Sequence, residues 1–301
     1  MLKSRRPQSG IARYVAAIRP WSFSVSLMPV LLGTTLSYRA TGTISTTLVF
    51  LTAIAIAAIH GAGNLVNTYY DFMNRVDRAE NTETEDRTLV DGRLSPDQVS
   101  TLGAALYCFG MVVFALACAL SPARIEQMAL LFFGGLTGSF LYTGGIGFKY
   151  YALGDIVVIL TFGPLAVLFT YLAQTGSLSL APILLDIPLA LHTEAVLLAK
   201  CAKEAEYSNV RTLPFLLGKS GSYFMYTAVL FIPYITFIFI AFNVSLWFIL
   251  PAATVVPAFD LEKLFRAGRL KNLHRETLRV TSVMGCLYIA SCCLAKNIPF
   301  M

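Results

Sequence analysis

Between Lys219 and Asp260 the chain runs for 40 residues, SGSYFMYTAVLFIPYITFIFIAFNVSLWFILPAATVVPAF, without a single Asp, Glu, Lys or Arg. Uncharged runs of comparable character separate Arg39 from Asp71, Asp97 from Arg124 and Asp155 from Asp186. A helix of roughly 20 apolar residues crosses a hydrocarbon core, so each run is long enough for at least one crossing. Charged residues make up 13% of the chain, against about 25% in soluble domains. The expectation is an all-α, polytopic membrane helical bundle.

Nine spans are expected, at about 20–39, 45–70, 98–120, 125–144, 152–173, 179–200, 221–242, 244–262 and 280–297. Several contain Gly or Pro, which neighbouring helices compensate inside a bundle. Of the 23 Lys and Arg, all but Arg39, Arg124 and Lys296 fall on one side of that topology. The positive-inside rule places that side, and the amino terminus with it, in the cytosol. The formal charge of +6 is therefore a topology signal, and nothing further supports a nucleic-acid role. The six cysteines show no metal-ligand spacing and read as small packing residues. Residues 1–18 read as a loose basic tail, and 19–301 as one membrane domain. The basic segment LEKLFRAGRLKNLHRETLR, 261–279, is expected to meet anionic lipid head groups.

The run after Arg39 does not stay apolar to its end. In GAGNLVNTYYDFMNRVD, 61–77, and the residue before it, His60, Asn64, Asn67 and Asp71 are spaced 4, 3 and 4, which puts them on one helical face. Amides and carboxylates cost several kcal/mol in lipid, so the stripe is expected to face the bundle interior or a wet cavity. Hydrogen bonding between helices is the plainer alternative. Asp77 follows on the flanking loop. Oxygen donors of this kind suit Mg²⁺, an ion usually shared with a phosphate-bearing substrate. The same loop carries Arg75, Arg78, Arg87 and Arg93, able to grip phosphate oxygens in bidentate fashion. Acid for a metal beside base for an anion reads as a diphosphate site.

These residues resemble a family. GAGNLVNTYYDF, followed by EDRTLVDGRLSP, is similar to the first aspartate-rich motif of the UbiA superfamily of intramembrane prenyltransferases. The likeness is greater to its animal, menaquinone-4-making branch. RPWSFSVSLMPVLLG at 19–33, FGGLTGSFLYTGGIGFKYYALGD at 133–155 and TFGPLAVLF at 161–169 agree with that branch, and the resemblance covers about residues 12–300. It implies nine helices around a cavity open to lipid, with a prenyl diphosphate held through Mg²⁺ between two facing motifs. Carried over by position, Asn64, Asn67, Asp71 and Asp77 belong to the first motif, Arg87 is an anion ligand, and Lys149 and Tyr142 lie in a cavity-lining stretch. Asp71, Asp77 and Glu204 are the expected catalytic carboxylates and, with Asn67, the Mg²⁺ ligands. Tyr69, Tyr70 and Tyr142 are candidates to stabilise an allylic cation through their rings, or else are interfacial anchors.

The second motif departs from the family. Where Asn-Asn-x-Arg-Asp-x-x-x-Asp is expected, the chain reads AKCAKEAEYSNVRTL, about three residues short. Glu204 replaces the first Asp, and Ser208 or nothing replaces the second. Glu194 is a further intramembrane carboxylate, either a proton acceptor near the ring or a hydrogen-bonded structural group. Asp155 and Asp186 are expected to cap helices or face solvent. The leading expectation is Mg²⁺-dependent transfer of a prenyl group, geranylgeranyl above all, from its diphosphate to a quinone or quinol acceptor, making menaquinone-4 or a related prenylquinone. Two alternatives stand beside it. One is a regulatory protein that binds prenyl diphosphate with weakened turnover and associates with the sterol-synthesis reductase. The other is an ion-coupled transporter using Asp71, Glu194 and Glu204. Endoplasmic reticulum or Golgi membranes are expected, with mitochondria as the other option.

Overall fold

The structure, a computed structural model, describes residues 10–78 and 86–300. These residues form helices α1 (Gly10–Ile18), α2 (Ser24–Thr41), α3 (Thr46–Met73), α4 (Pro96–Leu120), α5 (Ile125–Leu141), α6 (Gly154–Leu160), α7 (Ala166–Thr175), α8 (Ala181–Glu204), α9 (Leu213–Asn243), α10 (Val255–Arg266) and α11 (Leu273–Leu294). Among the described residues there is no strand, only one isolated parallel bridge between Tyr151 and Arg211.

Six helices among the described residues are long and apolar enough to cross a membrane: α3, α4, Gly154–Thr175 as one, α8, α9 and α11. Residues Gly10–Ser22 with α2 add a seventh if the pair, bent by 53°, counts as one span. The other two of the nine expected spans fall on shorter helices among the described residues. α5 has 17 residues before the Gly-rich segment that follows it, and α10 carries Asp260, Glu262, Lys263 and Arg266 in 12 residues.

Helix starts follow local chemistry. The Ser45 hydroxyl accepts from the Leu48 N–H at the head of α3. Ser95 and Gln98 form a reciprocal capping box at α4, with Pro96 at the first position, where no N–H is needed. Gly154–Thr175 is broken at Thr161–Leu165, where Pro164 lacks the donor a regular helix requires and Gly163 leaves helical geometry (φ −115°, ψ −108°).

Helices in lipid associate through close packing and hydrogen bonds rather than by expelling water. At Gly33 of α2 a Cβ would lie 2.7 Å from the Val167 carbonyl oxygen of α7, so only glycine allows this approach. One core joins α2, α7, α8, α9, α10 and α11, with Tyr226 stacked on Phe265 at 4.4 Å. A second joins α3, α4, α5 and α7 around Phe114, Phe132 and Phe169. The third packs Ala17 of α1 against Leu65, Leu89, Leu94 and Val99. From Gly10 onward the expected loose tail is thus a docked helix. Residues 1–9, the rest of that tail, lie outside the described residues, as do 79–85 of the acidic loop.

Candidate functional site

Asn67 and Asp71 sit one turn apart at the end of α3, and the Asn67 amide donates to Asp71 Oδ2 at 2.8 Å. Arg75, at φ 56°, turns the chain back. The N–H groups of Val76 and Asp77 both donate to the Asp71 carbonyl, at 2.8 and 3.2 Å, and this fixes Asp77 beside Asp71. The segment between α5 and α6 folds tightly through Gly145 and Gly147, both at positive φ. It inserts Lys149, 1% exposed, into the bundle. The Tyr151–Arg211 bridge ties that segment to the chain leaving α8, so the end of α8 meets it.

The result is a buried ionic cluster. Lys149 Nζ lies 2.8 Å from Asp71 Oδ2 and 2.9 Å from Glu204 Oε1, and Tyr150 OH donates to Asp71 Oδ1 at 3.0 Å. The Lys149–Glu204 contact is a close ion pair not aligned as a hydrogen bond, since Glu204 Oε1 has no hydrogen-bond partner. Burial works against the Lys149 charge, but Asp71 and Glu204 outweigh it and hold the ammonium protonated well above the ordinary lysine range. Beside them Asp77 is pushed up to about 7, first by burial and then by the charges of Asp71 and Asp86. Asp86 goes the other way. Although burial opposes it, Arg19, the Thr68 hydroxyl and Thr88 keep its carboxyl far below the usual range.

Next to this cluster lies a cavity of ≈ 220 Å³, which Asn67 and Tyr142 line and Asp71, Asp77, Lys149 and Glu204 do not. Its body is apolar, walled by Ile59, Leu131, Phe132, Phe162, Leu165 and Phe169, and its polar end carries Arg19, Asn64, Asn67, Tyr142 and Lys200. Lys200 Nζ donates to Asn67 Oδ1 at 3.4 Å. The Tyr142 hydroxyl is buried without a hydrogen-bond partner.

The structure brings Asn67, Asp71, Asp77, Lys149, Tyr142 and Glu204 to one end of the bundle. The expected stripe does face the interior, with His60, Asn64 and Asn67 all lining the cavity and Asp71 buried, but only Asn67 bonds Asp71. Asn64 still lines the cavity, but its amide donates to the Ile18 carbonyl at 2.9 Å and Ser22 Oγ at 3.1 Å. His60 is held between Ser22 and Ser26, because the turn Arg19–Phe23 packs on that side of α3. Arg87 pairs with Asp91 at 2.8 Å and is not among the cavity residues. Tyr69 and Tyr70 are half-buried, with rings in edge contact, and neither reaches the cavity. Asp155 and Asp186 do not face solvent, being 7% and 0% exposed, and Asp155 meets the carboxyl of Glu194. Sequence reasoning missed Arg19 and Asp86. Only the basic residue ahead of Pro20 hinted at the first.

The donors suit one divalent ion. Asn67, Asp71 and Asp77 are hard oxygen ligands, and Asp77, raised first by burial, also feels the charges of Asp71 and Asp86. The end of α8 adds Glu204 alone, already paired with Lys149. Among the described residues no three of His, Cys, Asp and Glu form a metal cluster by themselves, so an ion here needs further oxygens from a ligand.

Comparison with known proteins bears on the family and the fold. Residues 26–284 match the model of the UbiA prenyltransferase family. The chain is 45% identical to the human UbiA prenyltransferase domain-containing protein 1 over 297 residues, 98% of this chain and 87% of that one. It is 45% identical to the Drosophila melanogaster homolog over 292 residues, 95% and 80% of the two chains. Among solved structures it resembles a UbiA homolog from Aeropyrum pernix K1 (TM-score 0.68, 19% identity, 89% of this chain and 97% of that one). It also resembles a UbiA homolog from Archaeoglobus fulgidus bound to GPP and Mg²⁺ (TM-score 0.68, 17% identity, 93% and 98%).

Proposed function

This chain belongs to the UbiA prenyltransferase family, and we propose that it moves a prenyl group, geranylgeranyl in particular, from its diphosphate to an aromatic quinol, yielding menaquinone-4 or a related prenylquinone. The observation that carries this reading is the cavity itself, an apolar body with one polar end. Such a shape fits a ligand with an isoprenoid tail and a charged head, and the Archaeoglobus fulgidus homolog is described with GPP and Mg²⁺.

Asn67, Asp71 and Asp77, with Glu204 across from them, would hold Mg²⁺, and the ion would supply positive charge to neutralise the departing diphosphate. Lys149 fixes the two carboxylates in place, as a preformed electrostatic site requires. Phe132, Phe162, Phe169 and the other apolar walls hold the tail and exclude water that would otherwise capture the allylic cation. Tyr142 places its ring at the polar end, where that cation forms. The allylic C–O bond breaks with its electron pair going to diphosphate, the quinol carbon bonds the cation, and the ring proton leaves to the diphosphate.

Nine crossings with the amino terminus cytosolic, in endoplasmic reticulum or Golgi membranes, belong to the same proposal. A second reading is supported by the end of α8, where Glu204 is engaged by Lys149 and the neighbouring charges are Lys200 and Lys203. It is a protein that binds prenyl diphosphate, turns it over weakly and regulates the sterol-synthesis reductase.

Membranes containing the chain, given labelled geranylgeranyl diphosphate, menadiol and Mg²⁺, are expected to form prenylated product that chelator reduces. Retained diphosphate binding with no product under any condition favours the second reading.

A further inference from the structure

Around the polar end of the cavity, Arg19, Lys149 and Lys203 each pair with a carboxylate: Arg19 with Asp86, Lys149 with Asp71 and Glu204, and Lys203 with Glu206. Lys200 does not. It sits one turn before Glu204 on α8, half-buried in the cavity wall. Its one polar contact is the neutral Asn67 Oδ1, at 3.4 Å, near the limit of hydrogen bonding. A half-buried ammonium that forms no ion pair with a carboxylate is costly unless it has an anionic ligand. The Tyr142 hydroxyl, in the same wall, is fully enclosed and has no hydrogen-bond partner. Both residues line the same cavity, and an ammonium with a phenolic O–H is the complement of phosphate oxygens.

The chemistry of the opposite side sharpens the point. The end of α8 supplies a single carboxylate, Glu204, and Lys149 already neutralises it at 2.9 Å. Shared between Lys149 and the ion proposed at the end of α3, Glu204 is too little to hold a second divalent ion, which would also sit close to Lys200. Positive charge is therefore delivered on this side by side chains.

We propose that Lys200, with the Tyr142 hydroxyl, binds the diphosphate directly and takes the place of a second divalent cation, so that this chain keeps affinity for a prenyl diphosphate when divalent ions are removed. The inference rests on the prenyl-diphosphate reading above. It concerns binding and leaves the metal at the end of α3 its part in ionisation.

The test uses the full chain in lipid nanodiscs and geranyl S-thiolodiphosphate, an analogue whose C–S bond does not ionise. Calorimetry is run with Mg²⁺ and again with EDTA. Native protein is expected to lose less than about tenfold in affinity on chelation. Lys200→Met is expected to lose about tenfold or more in EDTA relative to native, as removal of a charge-assisted hydrogen bond would. Lys200→Arg keeps the charge and should bind like native, which separates loss of the cation from loss of fold. Tyr142→Phe should weaken binding in both media. The proposal is overturned if EDTA abolishes native binding, if Lys200→Met matches native in EDTA, or if Lys200→Arg fails as badly as Lys200→Met. Absence of native binding in both media removes the prenyl-diphosphate reading itself, an outcome distinct from the other three.

Discussion

Lys149 is the residue on which the polar end depends. It neutralises Asp71 and Glu204, which come from two helices and are 4% exposed each. Breaking a buried pair from one side leaves an uncompensated charge, so Lys149→Met should cost about 3–5 kcal/mol and lower the melting temperature well below that of native protein. Lys149→Arg, which keeps the charge, should fall between the two; equal melting temperatures for Met and native would show that the cluster is not an ionic clamp. Asp77 gives a pH signature. Its folded value of about 7 lies above the ordinary 3.8, so the folded state holds this proton more tightly. The contribution is fully present below the ordinary value and is lost as pH rises through about 7. In chelator, Asp77→Asn should therefore gain stability relative to native as pH climbs from 5 to 8, and added Mg²⁺ should narrow the gap. A pH-independent difference between the two proteins would contradict this. Much of this chemistry was legible from spacing: Asn67 and Asp71 stand at i, i+4, and the structure joins them directly. Lys149 was placed only by its motif, and Arg19–Asp86 was invisible, since 67 residues separate the partners and no local pattern links them.

At the scale of elements, the apolar runs located nearly every helix, because a chain in lipid must satisfy its backbone internally. Their status as spans was less legible. α5 stops at the Gly-rich segment Gly144–Gly147, and α1 exists because Ala17 finds a cluster on α3 and α4, a tertiary reward that composition does not announce. On the same side, Asn64 and His60 find partners in Ile18, Ser22 and Ser26. Glycine contacts set how closely elements meet. Gly33→Val would push its Cβ into the Val167 carbonyl of α7, and overpacking of this kind costs about 1–3 kcal/mol. Thermal unfolding in detergent should show that loss, while Gly135→Ala, where a Cβ meets nothing within 4 Å, should behave as native. Equal loss at both sites would show that the α2–α7 approach is not close-packed.

For the whole molecule, the division between an apolar cavity and its polar end is the feature that fits the proposed amphipathic diphosphate. The motifs identified the family before the fold was seen, and the family model covering residues 26–284 agrees. The cavity was not legible, because its lining comes from segments spread between Arg19 and Leu278 and depends on how the helices pack. The departure at the end of α8 was readable as a motif that no longer fits. Its consequence, one carboxylate held by a lysine with a second lysine alongside, needed three dimensions. If the polar end grips the head group, Asp71→Asn should abolish Mg²⁺-dependent product while leaving the protein in the membrane at native levels. The decisive measurement is an electron cryomicroscopy structure of the full chain with geranylgeranyl S-thiolodiphosphate and Mg²⁺. The diphosphate is predicted between Asn67, Asp71 and Lys200, with the tail running past Phe162 and Phe169; a head group bound elsewhere, with these residues in contact only with one another, would contradict it.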